Sequence, residues 1–97
     1  MAKQVDANQT AVVAAFRAAG ASVLHLHAVG QGCPDLLIGI RGRDALVEVK
    51  DGKQAPAKQR LNEQQLKWHR QWRGRPVTVI TSAVDAYIFA RHLGGEP

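Results

Sequence analysis

Three charged residues stand at the ends of two apolar runs. Asp35 heads the run 35–40, and Glu48 and Lys50 close the run 45–50. Side chains on a strand alternate faces, so Glu48 and Lys50 project together while Val47 and Val49 turn the other way, into packing. The polar turn Arg41-Gly42-Arg43-Asp44 joins the runs, which is the pattern of a β-hairpin. Hairpin pairing sets the start of one strand beside the end of the other, and so brings Asp35 next to Glu48 and Lys50.

Two adjacent carboxylates repel, and each raises the other's pKa unless a cation intervenes. A hard divalent ion such as Mg²⁺ suits two carboxylates, a backbone carbonyl and waters. The neighbouring lysine could activate a water at the ion or steady the charge developing on a phosphate. Such a site is suited to phosphodiester hydrolysis. A bare Glu-x-Lys is more often a solvated ion pair, and an aspartate after proline a turn residue. The combination of Gly32-Cys33-Pro34-Asp35 before an apolar strand with Glu48-Val49-Lys50 on the next favours the metal site.

Other elements must frame this hairpin. In 6–19 the residues Val12, Val13, Ala15, Phe16 and Ala19 recur at helical spacing, and Gly20 follows as a natural C′ residue. Segment 22–27 reads as a strand, and 28–34 as a loop broken by Gly30, Gly32 and Pro34. Segment 51–60, with Gly52, Pro56 and its lysines, reads as an exposed basic loop. Asn62 with Gln65 three residues on predicts a capping box at the start of a helix reaching about Arg73. Segment 76–81 is another strand, and Ser82 with Asp85 caps a last helix ending near Leu93. The order is α-β-β-β-α-β-α, an α/β domain over 1–97 with a four-stranded sheet and helices packed on it.

Further residues invite chemistry but have plainer readings. His25 and His27 have a spacing zinc can use, yet no third ligand is apparent, and partly exposed strand histidines are expected. Cys33 is a loop residue, with no base partner to make it a nucleophile. Trp68 and Trp72, four apart, would stack on one helix face; core packing is favoured over base stacking. Lys53, Lys58 and Arg60, just beyond Lys50, form a basic stretch suited to phosphate contact. Arg41 and Arg43 either extend that track or lie remote from it.

The chain of 97 residues carries 13 Lys+Arg against 8 Asp+Glu, a net charge of +5, which favours an anionic partner and nucleic acid first. A hydrophobic fraction of 45% excludes disorder, and no apolar run approaches the ~20 residues of a spanning helix. One cysteine and a polar N-terminus lead us to expect an intracellular, cytoplasmic protein with no membrane partner.

At Gly32-Cys33-Pro34-Asp35, Glu48-Val49-Lys50 and the glutamine of Leu61-Asn62-Glu63-Gln64-Gln65, the chain resembles the PD-(D/E)XK nuclease superfamily. It is most similar to small stand-alone, phage-type members of the VRR-NUC family, and the resemblance covers almost the whole chain. It implies a restriction-endonuclease-like core with a mixed four-stranded sheet. It also implies DNA hydrolysis dependent on Mg²⁺ or Mn²⁺ and selective for branched structure, four-way junctions included. Asp35 and Glu48 would be ligands with the Val49 carbonyl, Lys50 the catalytic lysine, and Gln65 the residue orienting the lysine or a water at the ion. Relatives place a glutamate on the first helix near a glutamine that Gln9 matches; here Asp6-Ala7-Asn8-Gln9 has none, leaving Asp6 or Asn8 as substitutes. The alternative is a non-catalytic nucleic-acid-binding module with the same fold. Symmetric incision and the small core both call for a homodimer, joined through the first helix's alanine-rich flank, the last helix around Tyr87 and Phe89, or the hairpin.

Overall fold

A computed structural model describes residues 7–95. Helix α1 (Ala7–Ala18) turns Val12, Val13 and Phe16 inward and ends where Gly20 takes a φ of 99°. The N–H groups of Gly20 and Ala21 donate to the carbonyls of Arg17 and Phe16, the paired bonds of a Schellman stop that glycine permits without strain.

Strands β1 (Ser22–His25), β2 (Leu36–Ile40) and β3 (Arg43–Val49) form an antiparallel meander, and β4 (Thr78–Ile80) adds parallel to β3. The sheet is therefore mixed, in the order β1-β2-β3-β4. The β2–β3 turn is tighter than the four polar residues suggested. Arg41 and Gly42 hold φ of 52° and 79°, the positive pair of a type I′ turn, so β3 begins at Arg43.

Leu36, Ile38, Ala45, Val47, Val49 and Ile80 share the sheet face that packs on α1 and on α4 (Ala83–Leu93). The fully buried Ala86 and Ala90 let α4 lie close beside α1. Ser82 caps α4 by accepting from the Asp85 N–H. At its other end Arg41 and Arg43 donate to the carbonyls of Gly94 and Leu93. These two arginines sit at the turn end of the hairpin, remote from Asp35, where guanidinium groups complement a helix C-terminus.

The parallel step from β3 to β4 needs a crossover, and α3 (Glu63–Gln71) supplies it. The basic segment 51–60 is not all loop: α2 (Pro56–Gln59) makes one helical turn, with proline in the first turn where its missing N–H costs nothing. Gln59 Nε2 donates to the carbonyls of Gln54 and Gly52, tying the segment to itself. No helix among the described residues is long and apolar enough to cross a membrane.

Candidate active site

The β2–β3 register pairs Leu36 with Val47. One step further, Asp35 falls opposite Glu48, on the sheet face away from α1 and α4. Both carboxylates are almost fully enclosed, Asp35 at 2% and Glu48 at 1% exposure. Two hydrogen bonds fix them. Asp35 Oδ2 accepts from the Val49 N–H at 2.9 Å, and Glu48 Oε2 accepts from Gln65 Nε2 at 3.2 Å. The Leu26 N–H donates to the Asp35 carbonyl at 2.8 Å, so β1 steadies the same residue from its other side.

Gln65 completes the arrangement. The capping box expected at Asn62 forms in full: Asn62 Oδ1 accepts from the Gln65 N–H, and the Asn62 N–H donates to Gln65 Oε1. The second bond dictates which way the amide points. With Oε1 turned to Asn62 it also accepts from Lys50 Nζ at 3.0 Å, and Nε2 is left to face Glu48. One buried carboxamide thus links the lysine, a carboxylate and the helix start.

Two backbone ties hold the frame. Asn8 Nδ2 donates to the Lys50 carbonyl at 2.8 Å, fastening α1 to the end of β3. Its amide is therefore engaged with backbone, while Asp6 lies outside the described residues. Gln9 is buried on α1. Gly32 has a φ of 85° and lies so close to α3 that a Cβ there would sit 2.4 Å from the Gln64 carbonyl oxygen. Only glycine brings the loop before Asp35 against the helix that carries Gln65. The spacing Gly-x-Pro-Asp carried this signal; the contact itself needed the fold.

The sequence candidates divide into two groups. Asp35, Glu48, Lys50 and Gln65 come together, with Val49 joined to Asp35 through its N–H. Lys53, Lys58 and Arg60 stay exposed in the segment that follows Lys50, outside this hydrogen-bonded cluster. His69, one turn beyond Gln65, was not singled out in the sequence. Burial, and then the charge of Lys50, hold its imidazole below the usual histidine range. His25 and His27 meet edge-on at 6.0 Å, but His27 lies past the end of β1. The described residues contain no group of three or more His, Cys, Asp or Glu placed to hold a metal. Trp68 and Trp72 do stack, at 5.0 Å and 15°, yet Trp72 is 46% exposed and neither joins the core. The expectation of core packing fails because α1 and α4 fill the opposite face of the sheet.

Two enclosed carboxylates with a lysine beside them fit a hard divalent ion. Mg²⁺ commonly takes one or two protein carboxylates and completes its shell with water and substrate phosphate, so a third acidic ligand is not required. Asp35 and Glu48 are the residues that would hold it.

No protein-family model matches the chain, and no curated protein matches it. A solved structure of a VRR_NUC domain does, at 31% identity and a TM-score of 0.63, over 87% of this chain and 90% of its own. The chain belongs to the VRR-NUC family. The mixed sheet flanked by helices is that of a VRR-NUC, nuclease-type domain, and the Asp35–Glu48–Lys50–Gln65 cluster lies at the open end of its central hairpin.

Proposed function

We propose that this VRR-NUC domain is a Mg²⁺- or Mn²⁺-dependent endodeoxyribonuclease that hydrolyses phosphodiester bonds in branched DNA and acts as a homodimer. The observation that carries the reading is the Gln65 amide, which holds Lys50 and Glu48 in one hydrogen-bonded unit beside the buried Asp35. Asp35 and Glu48 would hold the divalent ion, which would supply positive charge to the phosphoryl oxygens.

Lys50 spends one N–H on Gln65 and keeps its others for the phosphate, where charge grows in the transition state. Because Gln65 is pinned by the helix cap, the lysine is oriented before substrate arrives. Water attacks phosphorus, one P–O bond to a sugar oxygen breaks, and the products are a phosphate monoester and an alcohol. Lys53, Lys58 and Arg60 offer exposed cations for flanking phosphates, which position the strand without reading its sequence. For the dimer, Val84 and Ile88 lie four apart on α4 with Tyr87 between, all exposed, forming the apolar stripe best suited to a second copy.

Labelled duplex, flap, splayed-arm and four-way-junction DNA, incubated with Mg²⁺, Mn²⁺ or EDTA, tests the assignment. Branched substrates are cut with metal and not with EDTA, and Lys50→Ala or Glu48→Gln lowers the rate on the order of a hundredfold or more. DNA bound but never cut would favour the non-catalytic module. Cleavage in EDTA, or wild-type rates in both variants, would defeat the proposed chemistry.

A further inference from the structure

A cleft of about 470 Å³ opens between the 29–31 loop and the outer side of α3. Its chemistry is unlike that of the acidic cluster. Trp68 supplies an aromatic wall, Gln31, Gln64 and Gln71 supply three carboxamides, and Lys67 supplies a positive charge. Carboxamides donate and accept at once, as the edges of nucleobases do. No carboxylate lines the cleft to repel a phosphate.

Two features show the walls are built rather than incidental. Gln31 holds a φ of 56° between Gly30 and Gly32 at 72° and 85°, three successive left-handed residues of which one is not glycine. Such backbone persists only where its surroundings enforce it, and here the contact of Gly32 with the Gln64 carbonyl clamps the loop to α3. On the helix side, Trp72 lies parallel against Trp68 and fixes its plane, though nearly half of Trp72 remains in water. The indole pair lies outside the core, Trp68 meeting the His69 ring edge-on at 6.4 Å while another part of it lines the cleft.

We propose that this cleft binds an unpaired nucleotide of the DNA substrate, its base stacked on Trp68 and its edge met by Gln31, Gln64 and Gln71, with Lys67 near its phosphate. The proposal rests on the nuclease reading and sharpens it. Gln64 precedes the Gln65 that holds Lys50, so the one helix α3 carries both a wall of the cleft and a member of the cluster. Duplex DNA keeps its bases stacked internally and offers none to the cleft. Selection of flaps and splayed arms over duplex then needs no base-reading element: it follows from the unpaired bases they carry.

Trp68 lines the cleft and the chain's other tryptophan, Trp72, stacks on it, so selectively excited tryptophan emission reports on this site. In EDTA, wild-type protein is titrated with a hairpin duplex bearing a short single-stranded overhang, the same hairpin with an abasic overhang, and a blunt hairpin. The base-bearing overhang quenches the emission and binds roughly tenfold tighter than the abasic one, as stacking of a base implies. Trp68→Leu abolishes that difference, and Trp68→Phe, which keeps a ring, retains most of it. Equal wild-type affinity for base-bearing and abasic overhangs overturns the proposal, and this arm does not depend on any variant folding. Cleavage of the same hairpins with Mg²⁺ is scored separately. Cutting that ignores the overhang's bases counts against the cleft and leaves the nuclease standing. Base-dependent binding without any cutting supports the cleft and removes the nuclease reading.

Discussion

Gln65 performs two tasks usually given to separate residues. As the third residue of α3 it closes a capping box, and as a buried carboxamide it aligns Lys50 with Glu48. The two are compatible because the amide has an accepting end and a donating end, and the cap consumes only part of the former. Asp35 shows a different economy. One carboxylate oxygen accepts from the Val49 N–H, and an asparagine at 35 can keep that bond while shedding the charge. Asp35→Asn should therefore fold normally and lose the ion. At a metal concentration tenfold over Kd, binding to the native state is worth about 1.4 kcal/mol, a rise in Tm on the order of 5–10 °C for a domain of this size. Differential scanning fluorimetry with and without Mg²⁺ should show that rise in the wild type and little of it in Asp35→Asn.

At the scale of elements, α3 is a nine-residue helix whose buried positions amount to Gln65 alone, so packing does little to hold it. Its start is set by the cap. Asn62→Ala removes the acceptor for the Gln65 N–H and should cost about 1 kcal/mol of stability, read from urea unfolding. Since the Asn62 N–H still donates to Gln65 Oε1, the amide keeps its orientation, and DNA cleavage should fall by less than in Lys50→Ala. A fall as deep as in Lys50→Ala would show that the side-chain cap, not the backbone bond, aligns the site. The hairpin is secured at its far end by a separate device, Arg41 and Arg43 on the last carbonyls of α4. The end that carries the Asp35–Glu48 cluster and the anchored end of one hairpin thus rely on different chemistry.

For the whole molecule, the proposed reaction would let one cluster of Asp35, Glu48, Lys50 and Gln65 serve one scissile strand at a time. Incision of two strands related by a two-fold axis needs two copies related the same way. Of the surfaces considered from sequence, two are narrowed by the fold: Phe89 packs against the core, and the hairpin is fastened to its own α4 by the two arginines. The exposed stripe of Val84, Tyr87 and Ile88 is the better candidate. Light scattering at micromolar concentration should return twice the 10.5 kDa chain mass, and Ile88→Glu should return it to one. A single-chain mass for the wild type, with and without junction DNA, would end the paired-incision scheme without touching the site.

The order of the main elements, the hairpin, the two helix N-caps and the Gly20 stop were all legible in the chain, because each is set by residues within a few positions of one another. The convergence of Asp35 with Glu48 and Lys50 was legible for the same reason: alternation along a strand and a short turn fix which side chains share a face. What the fold alone decided involves residues far apart. Nothing local distinguishes Arg41 and Arg43 as caps for α4, or ties the Asn8 amide to the Lys50 carbonyl, or places Gly32 on the Gln64 carbonyl. The tryptophan pair shows the limit most clearly. Its four-residue spacing determined that the rings would stack, but whether they faced core or water depended on which side of the sheet α1 and α4 had already filled. Short-range geometry is written in neighbouring residues, whereas burial is a property of the whole packing and is settled only when every element competes for the same faces.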